Sequence, residues 1–172
     1  MHTRDDLHQE IIATQADFHK LLAAIPDAAF SLPSDNPAWT IGEVLYHMSV
    51  APRMMVLDVQ MIGRQRWLFR LIPCIVPKQV FHWLNAHLTH LGARNLSRSF
   101  LAESYDRATT GILRVLNSLS ENDLEQGITY PNWDPYLSGE VSLAYLFGYI
   151  KRHFETHAEQ LQPIVQKSSE TS

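Results

Sequence analysis

Three histidines carry the chemistry that this sequence offers most directly. Two of them, His153 and His157, lie four residues apart in the stretch Leu143 to Leu161. On a helix that spacing puts both side chains on one face, about 40° apart, so two imidazoles can close on a single ion. Leu143, Phe147, Ile150, Phe154, Leu161 and Ile164 recur at helical spacing, and His157 falls on the same stripe. The pair therefore points at or near a core. An unpaired buried ring nitrogen costs about 1 to 3 kcal/mol, and a metal satisfies one nitrogen per ring. By spacing alone such a pair is more often solvated, or hydrogen-bonded in a core, than bound to a metal.

A third imidazole comes from Trp39-Thr40-Ile41-Gly42-Glu43-Val44-Leu45-Tyr46-His47-Met48. Thr40 and Glu43 have the spacing of a capping box, which opens a helix at this point. Val44, Met48, Ala51 and Met55 form its apolar stripe, and His47 lies about 40° from Ala51, bordering the core. Helices that each present histidine inward are how a bundle builds a metal site from facing side chains. Glu43, one turn before His47, fits two roles: the cap itself, or an acceptor that fixes the imidazole tautomer.

Those two segments resemble the DinB-like superfamily, four-helix metalloproteins that include the YfiT-like proteins and several thiol-dependent transferases. The resemblance rests on Trp-Thr-Ile-Gly-Glu-Val-Leu-x-His at residues 39 to 47 and His-x-x-x-His-x-x-Gln-Leu at residues 153 to 161. It implies that His47, His153 and His157 are the metal ligands, and it aligns Gln160 with the glutamine of the family's terminal motif. Many members carry His-His where this chain has Thr156-His157, so the ligand position is kept and its neighbour is not.

The elements that must position these residues read as helices. A first helix is expected from about Thr3 to Ile25, with Leu7, Ile11, Thr14, Phe18, Leu21 and Ile25 inward. Pro26, Pro33 and Pro37 hold the link to Trp39 irregular. The second helix should run from Ile41 to about Ile62, kinked at Pro52, which cannot donate to Met48. A connector follows over residues 63 to 98, broken by Pro73 and Pro77, with a helix from Lys78 to about Leu91. Leu101, Tyr105, Ala108, Ile112, Val115 and Leu119 mark the third long helix. A loop with Gly127, Pro131, Pro135 and Gly139 precedes the last helix, for which Ser138 is the expected N-cap and Glu140 the charge near its positive end. No segment reads as a strand. The expected fold is all-α: a single-domain DinB-like four-helix bundle over residues 1 to 172, with an inserted helical connector between helices 2 and 3.

Composition narrows the function classes. A chain of 172 residues, 45% hydrophobic and 19% charged, can bury one sizeable core. It has neither a bilayer-length apolar run nor a signal-peptide pattern, so a cytoplasmic protein with no membrane partner is expected. The lone Cys74, among Ile72, Pro73, Ile75 and Val76, excludes an internal disulfide and has no nucleophile motif around it. Net charge is -4, yet residues 50 to 100 hold seven basic side chains against the single acid Asp58. Arg64, Arg66 and Arg70 flank Trp67, Leu68 and Phe69, a pattern suited to pairing with the acidic helices, shaping the metal's access, or making a subunit contact such as a homodimer. No nucleic-acid partner is expected. A rival histidine group, His82, His87 and His90, has no further ligand beside it and reads as solvated or hydrogen-bonded. Phosphate-binding loops, G-x-S-x-G elbows and His-Glu-x-x-His motifs are absent.

Three neutral imidazoles leave one position open on zinc and more on nickel, the two expected divalent ions. A bound water or thiol there becomes a nucleophile at neutral pH. The thiolate route is what the resemblance implies, for the family includes transferases of small thiols. The expectation is a metal-dependent transferase of a low-molecular-weight thiol, or a hydrolase using metal-bound water. The alternative is a non-catalytic metal- or ligand-binding sensor or stress-response protein. Tyr149 and Arg152, beside His153, are candidates for the mouth of the site or for plain packing and solvation.

Overall fold

The computed structural model describes residues 2–64, 76–134 and 136–170. Helix α1 spans Arg4–Ala24, opened by a capping box in which the Thr3 hydroxyl accepts from the Asp6 amide and the Asp6 carboxylate accepts from the Thr3 amide. It stops before Pro26, and the Arg98 guanidinium takes up the exposed carbonyls of Leu22 and Ile25 together with the Asp27 carboxylate. A 3-10 turn at Asp27–Ala29 begins the link to α2, Ile41–Arg64. Helix α2 continues through Pro52. Helix α3, Lys78–Gly92, lies in the connector, and α4 follows as Arg98–Asn117, capped by Ser97. A short helix α5, Glu121–Leu124, leads to strands β1, Gly127–Asp134, and β2, Leu137–Ser142. Helix α6 spans Leu143–Glu159 and α7 spans Gln162–Glu170.

The two strands overturn the expectation of a loop before the last helix. They pair antiparallel from Gly127 opposite Ser142 to Tyr130 opposite Gly139, lose register, and resume with Asp134 opposite Leu137. Pro131, which has no N–H to give to the ladder, stands where the register breaks. Gly139, at φ +74, supplies the left-handed residue. Consequently Ser138 and Glu140 lie in a strand. The N-cap of α6 is Ser142, whose hydroxyl accepts from the Tyr145 amide, and the Thr129 hydroxyl donates to Glu140.

Four long helices make the bundle, in which α1 packs on α4 and α6, and α2 packs on the same two. Helices α1 and α2 thus stand on opposite corners. Two apolar clusters fill the interior. One joins Leu7, Ile11, Met55, Val59, Ile112, Leu116, Phe147 and Ile150; the other joins Phe18, Leu22, Ile25, Ile41, Leu45, Met48, Leu101 and Leu161. Each such side chain contributes roughly 1.5 to 3 kcal/mol when fully buried. Their order along the chain makes α1 and α6 run one way and α2 and α4 the other. Because α2 and α4 are parallel, the chain must travel back between them, which is the work of the connector that carries α3. Helix α3 docks on α2 where the Tyr46 phenol lies against Gly92, too close for any Cβ at that position. It meets β1 through the stacked rings of Phe81 and Trp133, 4.5 Å apart. Among the described residues no helix is long and apolar enough to cross a membrane. Cys74, Arg66, Trp67, Leu68, Phe69 and Arg70 lie outside the described residues, as does the side chain of Arg64.

Candidate metal centre

Helices α2 and α6 contact one another, and their facing surfaces bring His47, His153 and His157 together. The candidate ligand atoms of the three all lie within 4.8 Å of one another, and His47 Nε2 is 3.0 Å from His153 Nε2. Ring centroids are 4.9 Å apart for His47 and His153, 4.8 Å for His47 and His157, and 4.6 Å for His153 and His157. Nitrogens bound at about 2.1 Å to one ion lie roughly 3.0 to 3.4 Å apart, the spacing that the His47 and His153 nitrogens show at 3.0 Å.

Local electrostatics prepare the rings for such a role. Burial pushes the His47 imidazole down to about 3, with His157 adding to the shift. Burial, then His47 and His157, holds His153 well below its ordinary value. Burial also lowers His157, against the opposing pull of Gln160 and the Asp134 carboxylate. All three are therefore neutral at physiological pH, with lone pairs available. His157 Nδ1 lies 3.1 Å from Gln160 Oε1. An amide oxygen only accepts, so Nδ1 carries the proton and Nε2 keeps its lone pair. As whole residues all three histidines are half-buried.

Glu43 resolves to the first of its two roles. One carboxylate oxygen accepts from the Thr40 amide at 2.7 Å, and the other is 2.6 Å from His90 Nδ1. Burial raises its pKa, but those bonds outweigh burial and hold it below the usual carboxylate range. His90 is thereby engaged, His87 stacks on Trp83 at 5.2 Å, and His82 sits edge-on to Phe81, so the second histidine group does not converge. Among the described residues the triad is the one cluster of histidine, cysteine and carboxylate groups with metal-ligand spacing.

The hairpin closes one side. Tyr149, one turn before His153 with ring centroids 5.9 Å apart, donates its hydroxyl to Asp134 Oδ2 at 2.8 Å. Arg152 lies over the Tyr136 ring at 5.5 Å. Farther along α2, Tyr130 donates to Asp58 at 2.6 Å, and burial lifts Asp58 to about 6. Trp39 covers the other side, its indole 4.7 Å from His47 and 6.0 Å from His157. Sequence reasoning assigned no role to Trp39, Asp58, Tyr130 or Asp134; only Trp39 carried a signal, its place directly before the capping box. Two surface cavities of about 510 and 480 Å³, the first along His8, Thr110 and Arg114 and the second along Glu10, Asp17 and Lys151, include none of the triad.

A four-helix bundle with three inward histidines on two facing helices defines a class, and the comparisons with known proteins agree with it. The DinB superfamily matches residues 10–161, and the chain belongs to it. Among solved structures the chain is similar to the mycothiol-dependent maleylpyruvate isomerase, at a TM-score of 0.69 and 12% identity over 92% of this chain and 60% of that one. A histidine-to-alanine mutant of that isomerase matches with a TM-score of 0.69 and 11% identity over the same shares. The chain thus spans 60% of the length of these relatives. No curated protein matches it.

Proposed function

We propose that residues 1–172 act as one domain that binds a divalent ion through His47, His153 and His157 and uses it to activate a low-molecular-weight thiol for transfer or isomerisation. The observation that carries this reading is the convergence of three neutral imidazoles, with ligand atoms within 4.8 Å and one tautomer held by Gln160. The donor set fits zinc or nickel, since three imidazoles suit both and leave at least one coordination position free. When bound, such an ion stabilises a thiolate or hydroxide at neutral pH. The thiol is favoured because the similar isomerase is named for its dependence on mycothiol.

The protein's own groups have separable tasks in this reading. Gln160 orients His157, burial keeps the rings unprotonated, and Tyr149 with Asp134 fixes the hairpin beside His153. The test begins with untagged protein dialysed against zinc or nickel. One ion per chain is expected, and His157→Ala should lose it. A screen of small thiols with electrophilic acceptors then follows on the loaded protein. Full metal occupancy in His157→Ala would remove the triad as the site.

A further inference from the structure

The indole ring of Trp39 packs beside His47 and His157, and its nitrogen is buried and lacks a partner. Trp39 Nε1 has no acceptor among the described residues, although the atom is out of contact with solvent. Leaving an N–H in that condition costs about 1 to 3 kcal/mol, so its place calls for a reason. The indole is not loosely held. The Trp39 amide donates to the Asn36 carbonyl at 3.1 Å, and the Trp39 carbonyl accepts from the Ser34 hydroxyl at 2.8 Å. Pro33 and Thr40 pair across the base of the same loop, and the Asp35 amide reaches the Gln160 carbonyl at 3.4 Å. The loop that carries the indole is thus fastened to the residue that orients His157.

We infer that Trp39 is a ligand-positioning residue: its indole N–H donates to the anionic atom of an exogenous ligand held beside His47, His153 and His157. The inference rests on the metal reading above, under which that atom is a thiolate sulfur whose proton has left to solvent. Trp39 suits the task because indole is donor-only and cannot itself ligate the ion. It also stands against two of the three imidazoles, with its ring tilted 40° and 39° to them. A neutral thiol or thioether offers a weaker acceptor, so the bond selects the charged form.

The experiment uses cobalt- and zinc-loaded protein with 2-mercaptoethanol as probe. In wild type, thiolate binding to cobalt produces a sulfur-to-metal charge-transfer band from which a Kd is read. Trp39→Phe keeps an aromatic ring and removes the donor; it should retain one cobalt per chain and weaken thiol binding by about tenfold or more. A Kd within twofold of wild type, with cobalt retained, overturns the inference and leaves the metal reading intact. Should Trp39→Phe fail to fold, the indole 15N–1H resonance of Trp39 in wild-type zinc protein answers the same question. A downfield proton shift on adding thiol supports the bond, and an unmoved resonance overturns it. If wild type takes up neither cobalt nor zinc, both the metal reading and this inference fall.

Discussion

Replacing Asp58 by Asn should make the stability of the metal-free protein depend on pH in a different way, and the difference can be worked out beforehand. Burial raises the Asp58 carboxyl from 3.8 to about 6 even though the Tyr130 hydroxyl donates to it. The folded state therefore holds the proton over a range where the unfolded state has released it. Stability falls as pH rises through that window, because there the native state binds more protons. Above it the charged carboxylate costs about 3 kcal/mol, from about two pH units at about 1.4 kcal/mol each. Near pH 5 the cost shrinks to about 1.5 kcal/mol, and near pH 4 to about 0.5 kcal/mol. Asn keeps an oxygen that can accept from Tyr130 and has no proton to exchange. Urea denaturation at pH 7.5 and pH 5, on both proteins after chelation, gives the gap between them at each pH. Titration of the triad is common to both and cancels. The Asn protein should be the more stable at pH 7.5, and its advantage should narrow by about 1.5 kcal/mol at pH 5. A gap that does not change with pH, or an Asn protein less stable at pH 7.5, refutes the reasoning.

Other outcomes follow from the same geometry. Metal-free protein should lose stability as pH falls below 6.5 toward 3, because the unfolded state protonates His47 before the folded state does. That group alone removes about 5 kcal/mol across the window, more than the about 3 kcal/mol that Asp58 returns as pH falls, so denaturation midpoints should drop in acid. Gln160→Leu should keep the fold, seen by circular dichroism, and weaken zinc binding by about 10- to 100-fold in competition with a chromophoric chelator. Gly92→Ala drives a Cβ into the Tyr46 phenol; its Tm should drop, with a cost of about 1 to 3 kcal/mol, and an unchanged Tm would show that α3 can shift off α2 freely.

What could be read from sequence, and what could not, follows from physical cause. The helical stripes were legible because each long helix buries one face, so Leu7, Ile11 and Phe18 in α1, or Leu101, Tyr105 and Ile112 in α4, recur at the helical period. Thr40 and Glu43 announced the start of α2 because capping is local. The hairpin was not legible. Pro131 and the two glycines dilute its alternation, and one of its ties to the bundle runs from Tyr130 to Asp58, 72 residues away. His153 and His157 stood out by spacing and His47 by its place after the capping box, whereas their neutrality was not legible, since it comes from burial that no local pattern encodes. Trp39 could be seen in the sequence but not interpreted, for its meaning lies in an unpaired atom and in the rings it faces.

The diagonal placement of α1 and α2 has an architectural result. A chain that visits neighbouring corners in turn can join its helices with tight hairpins and leaves the end of the barrel open. Here the passage from Ile25 to Thr40 must bridge opposite corners, and it runs across the end where His47 and His157 lie. The winding order thus supplies a roof, with Trp39 as its underside. Changes in the length or residues of that bridge would alter the cover over His47 and His157 while the packing of the four long helices stays as it is.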